Sequence, residues 1–488
     1  MLSRRAFGWM LLFVSLVASE LTSAATFPLT ASANGRYLQD QSGTPFPILG
    51  RSYWGIIGLS PTNYQAALDD ALVKGFNTIE FRAPNASRQD CCVPRDGAGN
   101  LPFTTKVGGG AYTGSFSETP DFTTPNAAYW TYLDTFIDYC ASRGIVVMWF
   151  PAYMGYDSDS EGWGNVMVAN GATRMRNFGA FVANRYKQRN NIIWLLGGDR
   201  GTGNNPMTSQ EITVEQAYID GLKSVGGQQS TQYAAEWASE SIGTDQPNFA
   251  SHMTLNGVYS WNGFTAEHAR RGYADTPPLP TFLLEEPYDE EGADGTNRNN
   301  HATQPVRRFV WWSMLSGSNA GYMAGNGYLI HFFPGYASHF SSPGQGDLAR
   351  LNLLWTSIPW HQLVPSGLAG MKTLVTAGGG GGVTATDYIA AAATSNGSTL
   401  LAYVPPTGTS SRSFTVDMTA LSASARARWF NPTNGNYTDI ASAIPNTGTR
   451  QFTTPGNNGT SANDWLLVVD TASGGGVTPS APTNLIVD

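Results

Sequence analysis

The chain has 488 residues, a formal net charge of −8 and only 13% charged residues, against about 25% in ordinary soluble domains, while aromatics reach 12%. No Lys/Arg run or basic stripe is present, which argues against nucleic acid as a partner. The six histidines form no HExxH or HxH pattern and the three cysteines form no CxxC pair, so a zinc protease or structural zinc site is disfavoured. Low charge with many Trp and Tyr suits an exported protein that handles neutral, stackable ligands such as sugars.

In chain order, residues 1–25 read as a signal peptide. Arg4-Arg5 supply the charged start, Trp9–Ser19 the apolar stretch and Thr22-Ser23-Ala24-Ala25 the small-residue cleavage region. Ser3-Arg4-Arg5-Ala6-Phe7 also fits a twin-arginine export signal. The apolar run is too short for a permanent membrane anchor. The expected location is therefore extracytoplasmic, periplasmic or secreted. Under such oxidising conditions one disulfide is expected between Cys140 and either Cys91 or Cys92.

Strand and helix patterns then alternate. Apolar strand runs are "FPILGRSYW", "NTIEFRA", "IVVMWFPAY", "NIIWLLGGD", "QYAAEWA", "HMTLNGVYSW", "PTFLLEEP" and "NAGYMAG". Helical spacing marks "PTNYQAALDDALVKGF", "NAAYWTYLDTFIDYCASRG", "GATRMRNFGAFVANRYKQR", "TVEQAYIDGLKSVG", "TAEHARRGY" and "TQPVRRFVWWSML"; in the first of these Ala66, Leu68, Leu72 and Phe76 fall near one face. Alternation of this kind implies parallel crossovers, and eight units within residues 26–363 fit an α/β (β/α)8 TIM barrel. No GxGxxG follows the first strand, so an open dinucleotide-binding sheet has little support. From 364 to 474 short strands recur with turn signals about every ten residues, the pattern of a C-terminal antiparallel β-sandwich. Residues 475–488 form a Gly/Pro/Ser linker.

Barrel active sites lie at the C-terminal ends of the strands. Two carboxylates stand out there. Asp199 follows the fourth strand on a Gly197-Gly198 hinge, and Glu286 ends the seventh, on the opposite side of the mouth. Such a pair suits glycosidic bond hydrolysis, one carboxyl donating to the leaving oxygen and the other attacking the anomeric carbon or activating water. Each residue also has a plainer reading: Asp199 as a cap or a partner of Arg200, and Glu286 as a salt-bridge partner of Arg82. Strand side chains alternate, so only one of Glu285 and Glu286 can face the mouth. Arg82, Trp54, Tyr153, Glu236, Trp261, Glu285 and Asn326 are the candidate substrate-binding residues. No metal or cofactor is expected. The loop "YDSDSEGWGN" has Asp157, Asp159, Glu161 and Gly162 at calcium-loop spacings but Val168 at the twelfth position, so a solvated loop is the expectation.

Six segments occurring in order, "PFPILGRSYWGI", "ALVKGFNTIEFRA", "NIIWLLGGDRG", "LLEEPYDEE", "RRFVWWSMLSGSNAGYMAGNG" and "ARLNLLWTSIPWHQLVPSG", resemble the apiosidase-like glycoside hydrolases (family 140), earlier labelled collagenases with a collagen-binding C-terminal domain. "ARWFNPTNGNY" is similar to a turn of that domain, with Asn431 in place of the usual acid. The resemblance implies Asp199 as acid/base and Glu286 as nucleophile of a retaining hydrolase acting on a poly- or oligosaccharide, furanosides included. It also implies an acid on the first strand where this chain has Arg51, and Tyr288 is displaced by one place. Those departures are expected to lie in the pocket and to leave the sugar open. The alternative function is a non-catalytic carbohydrate-binding or adhesion protein on the same barrel; proteolysis has no motif to support it.

Overall fold

The computed structural model describes residues 25–471 apart from 89, 157–160, 204, 292–302 and 409. The expected leader and linker, and Asp157 and Asp159 of the calcium-like loop, lie outside the described residues.

Eight strands form the barrel: β1 (Ile48–Ser52), β2 (Thr78–Arg82), β3 (Val146–Phe150), β4 (Ile192–Gly197), β5 (Gln232–Glu236), β6 (Asn256–Tyr259), β7 (Thr281–Glu285) and β8 (Gly321–Ala324). Parallel ladders run without a break from β5 through β4, β3, β2, β1 and β8 to β7 and β6. The ring closes between β5 and β6, where the Thr254 and Leu255 N–H groups donate to the Tyr233 carbonyl (2.9 and 3.1 Å). A short strand, Ser241–Ile242, pairs antiparallel with β6 beside this seam.

Period-two alternation sorts the strand residues between two apolar cores. Ile48, Val146, Met148, Phe150, Ile193, Leu195, Ala234, Phe282, Leu284 and Met323 pack together inside the ring. Their neighbours Leu49, Ile79, Val147, Trp149, Trp194, Ala235, Val258, Leu283 and Tyr322 belong to the layer under the helices. Gly50 is glycine because of this packing: a Cβ there would sit 2.0 Å from the Met323 sulfur.

Six helices fall on the expected runs, α1 (Pro61–Val73), α2 (Ala127–Ser142), α3 (Gly164–Tyr186), α4 (Ser209–Lys223), α5 (Thr265–Ala274) and α6 (Thr303–Ser316), and a further one, α7 (Pro343–Thr356), is not among them. Pro61 opens α1 at a position whose N–H needs no helical partner. Its buried face is Tyr64, Ala67, Leu68 and Ala71, rotated from the expected one because the Tyr64 ring packs edge-on against Phe136 of α2; Ala66 is exposed. α4 starts with a capping box in which Thr208 and Glu211 satisfy each other's backbone. α3 begins a full turn and more before the expected Gly171, which instead marks a kink at φ 73°.

After α7 come β9 (Leu363–Pro365), β10 (Val375–Ala377), β11 (Ala390–Thr394), β12 (Thr399–Val404), β13 (Ser413–Asp417), β14 (Ala425–Phe430), β15 (Tyr437–Ile444), β16 (Thr449–Thr453) and β17 (Trp465–Thr471). They make a six-stranded antiparallel sheet, β9-β11-β12-β17-β14-β15, and a three-stranded one, β10-β13-β16. Leu400, Ala402, Trp429 and Leu467 of the first meet Phe414, Val416 and Phe452 of the second. The larger sheet docks on α6. Arg307 of α6, almost fully buried, pairs with Asp464 (2.6 Å) and with Asp347 of α7, and Asp464 also accepts from the Tyr403 hydroxyl (2.7 Å).

The expected long-range disulfide is corrected. Cys91 is bonded to Cys92, and Cys140 is free and buried. The reason is directional: α2 runs back down the barrel wall, so Cys140 lies beside the start of β3, whereas Cys91 sits on the loop after β2 at the opposite end. None of the described helices is long and apolar enough to cross a membrane.

The Arg307 cluster is a buried charge network, in which removing one partner leaves the others uncompensated. Asp464→Ala is expected to cost about 3–5 kcal/mol of stability, read from the denaturant midpoint by Trp fluorescence. An unchanged midpoint would show that the network holds nothing together.

Candidate active site

The mouth of the barrel collects acids around one guanidinium. Glu80 and Arg82 continue the inward face of β2, and Glu236 ends the inward face of β5; all three are buried. Arg82 is clamped between two rings, its guanidinium carbon 3.7 Å from the Trp54 ring centroid and 3.5 Å from that of Tyr153. Burial works against its charge, but Tyr153, Glu236, Asp90 and Glu285 around it hold it firmly protonated.

Asp199 reaches this group from β4 by a left-handed turn. Gly197, Gly198 and Asp199 have φ of 76°, 117° and 53°. A Cβ on Gly197 would fall 2.5 Å from the Glu236 carbonyl and from the Trp237 ring, and one on Gly198 would fall 2.4 Å from the Tyr153 ring. The glycines therefore admit the protein's own rings and backbone close to the hinge. The Tyr153 hydroxyl donates to Asp199 Oδ2 (2.7 Å), and Tyr259 at the end of β6 bonds the same side chain. Behind the hinge, the Gly198 N–H donates to the Glu236 carbonyl (2.7 Å) and the Gly197 N–H to Glu215 of α4 (3.1 Å). Arg200 turns away to Glu211 of α4 (3.1 Å), so it braces the loop rather than pairing with Asp199.

On β7 the expected alternation breaks. Val258 pairs with Leu283 but Tyr259 pairs with Glu285, so β7 carries one extra residue at a bulge. The bulge turns Glu285 into the mouth with Tyr259. One carboxylate oxygen from each of Asp199, Glu236 and Glu285 lies within 4.8 Å of the others. Glu286, expected to face Asp199, is fully buried one residue past the bulge; its charged neighbours are Glu291 and Glu80, and it lies near Tyr322, whose hydroxyl reaches Asn352 of α7 (2.6 Å).

The remaining candidates divide. Trp54 joins the cluster, its indole N–H donating to Glu80 (3.3 Å). Trp261 follows β6 beyond Tyr259 and is partly exposed. Asn326 braces the loops after β7 and β8 through Asp289 (3.1 Å) and Glu290 (2.8 Å). Arg51 is not a pocket residue: it points under α1 and pairs with Asp70 (2.7 Å). Sequence reasoning missed Glu80, although it stands two residues before Arg82 on the same strand and so must share its face.

Burial dominates the electrostatics. It raises Glu80 from 4.5 to about 7 against the hydrogen bonds from Ser52 and Trp54 and the charge of Arg82. It pushes Glu236 and Glu285 well above the usual carboxylate range, and the neighbouring carboxylates add to the effect. Asp199, Glu236 and Glu285 are the residues whose donor atoms are spaced to share a cation. Arg82 already supplies positive charge at that spot, and protons on the glutamates can supply the rest.

Acids at the ends of β4, β5 and β7 of a (β/α)8 barrel, with a buried arginine between aromatic rings, fit the glycoside hydrolase class. Residues 32–363 match the family model described as "Apiosidase-like, catalytic domain", and the chain belongs to that family of glycoside hydrolases. Residues 380–470 match a second model, described as "Putative collagen-binding domain of a collagenase". Among solved structures, the fold is similar to a family 5 glycoside hydrolase from Bacteroides vulgatus, with TM-score 0.71 and 19% identity over 91% of this chain and 95% of that one. A second structure, described as "Glycoside hydrolase", has TM-score 0.71 and 19% identity over 92% of this chain and 99% of that one. A further Bacteroides vulgatus structure of that description has TM-score 0.64 and 11% identity over 92% and 83% of the two chains. No curated protein matches the sequence.

The raised acids make a pH prediction with a definite sign. Glu80 binds its proton more tightly folded than unfolded, so its contribution is fully present below about pH 4.5 and is lost as pH rises through about 7. The thermal midpoint should fall between pH 5 and pH 8, and Glu80→Gln should flatten part of that fall. A midpoint that rises over the same range in calorimetry would refute the arrangement.

Proposed function

We propose that the protein is an exported retaining glycoside hydrolase that cleaves a neutral poly- or oligosaccharide, with Asp199 as acid/base and Glu285 as nucleophile. The observation that carries this reading is the approach of the Asp199 and Glu285 carboxylate oxygens to within 4.8 Å at opposite strand ends. Retaining hydrolysis uses carboxyls roughly 5–5.5 Å apart, whereas inversion needs roughly 6.5–9.5 Å to admit a water.

The roles follow from surroundings. Asp199 lies at the rim, 9% exposed, where a leaving group and later a water can reach it. Tyr153 donates to its Oδ2 and Tyr259 bonds the same carboxyl, which fixes its orientation at the rim. Glu285 lies deeper, 3% exposed; burial and the neighbouring carboxylates raise it, and Arg82 is the group that opposes them and favours the ionised nucleophile. In the first step the Asp199 proton passes to the glycosidic oxygen while Glu285 attacks the anomeric carbon, giving a glycosyl-enzyme. In the second, Asp199 takes a proton from water as the water displaces Glu285. Glu236, whose carboxyl meets Glu285 at the mouth, is placed to accept sugar hydroxyls. The low proportion of charged residues and the many Trp and Tyr support an uncharged sugar. The signal-peptide pattern of residues 1–25 supports an extracytoplasmic location.

Screening aryl furanosides, aryl pyranosides and polysaccharides identifies the substrate. On it, Asp199→Ala and Glu285→Ala should each lower kcat by about 10³-fold or more, while Glu286→Ala, if folded, keeps turnover within about tenfold. Proton NMR of the first-formed product should show the anomeric configuration of the substrate. An inverted product would overturn the mechanism, and near-normal turnover in Glu285→Ala would return the nucleophile's role to Glu286.

A further inference from the structure

The chemistry above makes no use of the two adjacent cysteines on the loop after β2. Their bond closes a small ring of two sulfurs, two β-carbons and the intervening peptide. Such a ring has no free rotors and presents a polarisable, apolar surface. Cys92 is exposed and Cys91 half-buried.

Loops from three strand ends fix its place. The Cys91 N–H donates to the carbonyl of His331, after β8 (3.1 Å), and the Arg95 N–H donates to the Cys92 carbonyl (2.8 Å). Gly58, after β1, lies directly against it: a Cβ there would come within 2.6 Å of the Cys91 carbonyl oxygen and 3.1 Å of the Cys92 Cβ. Asp90, the residue before, is bonded by both the His331 ring and the Asn85 amide. The His331 ring in turn meets Trp54 at 5.4 Å, and Trp54 stacks on Arg82 beside the acids. The disulfide ring therefore lies against the loops after β1 and β8, at the same end of the barrel as the acid cluster, with His331 linking it to Trp54.

We propose that the Cys91–Cys92 ring and His331 form a second sugar subsite, a platform for the apolar C–H face of the neutral sugar next to the one held by the acids. This rests on the glycosidase reading for what occupies the inner site. A sugar ring offers such a face, and a rigid surface binds it with little ordering cost.

The test uses the full oxidised chain. Peptide mapping without reductant should find Cys91 linked to Cys92, and two free thiols there would overturn the proposal. With substrate in hand from the screen, Cys91→Ala/Cys92→Ala should raise KM for an oligosaccharide about five- to tenfold, the size of one lost apolar contact, with kcat unchanged. Hydrolysis of the aryl monoglycoside, which fills only the inner site, should stay within about twofold. Reducing wild-type protein with a phosphine should reproduce the KM rise and reoxidation should reverse it, a check that does not depend on the variant folding. Equal loss on both substrates, or no change in either, makes the ring a loop staple and sinks the subsite. A wild type that turns over no glycoside fails the glycosidase reading instead; glycan-panel binding by the wild type that is lost in the double variant would still support the platform.

Discussion

The structure is organised around a charge constraint: four carboxylates, Glu80, Asp199, Glu236 and Glu285, share a nearly dry space with one guanidinium. Carboxylates so close cannot all ionise where water is scarce, because their repulsion is poorly screened and each has lost its hydration. Arg82 offsets part of this, and its position between Trp54 and Tyr153 fixes where the compensating charge lies. The rest must be met by protons held on the glutamates. A site of this kind holds protons on buried carboxyls near neutral pH.

Holding Asp199 at the rim depends on backbone rather than on side-chain packing alone. The left-handed turn at Gly197-Gly198-Asp199 is tied to β5 through the Glu236 carbonyl and to α4 through Glu215. Glu215 is itself fully buried and raised to about 8, so it stays protonated behind the hinge at neutral pH and adds no charge there. Arg200, joined to the capping Glu211, links the same loop to the start of α4. The strand that carries Asp199 and the one that carries Glu236 are thus locked in register at the point where their acids meet.

The C-terminal sheets act on the other half of the site. They dock on α6, the helix that follows β7, through the buried Arg307–Asp464–Tyr403 network and the stacked Trp311 and Tyr403 rings. β7 delivers Glu285. The sandwich therefore packs against the helix that follows the strand bearing Glu285.

The barrel, its eight strands and the position of Asp199 were legible in the sequence, because strand runs, helical spacing and a Gly-Gly-Asp break are local signals. Arg82, Glu236 and Tyr153 could be chosen as strand-end residues for the same reason, and Glu80 could have been added from its two-residue spacing to Arg82. Whether Glu285 or Glu286 faces the mouth could not be read, since it turns on a one-residue bulge set by the pairing of β6 with β7. Whether Arg51 was pocket or scaffold depended on the rotation of β1 against α1, and the pairing of Cys91 depended on the direction of α2. Periodicity along the chain determined the architecture and most of the site's members. Only tertiary structure decided which face each side chain takes, because register, bulges and helix direction are properties of neighbouring segments, not of any one of them.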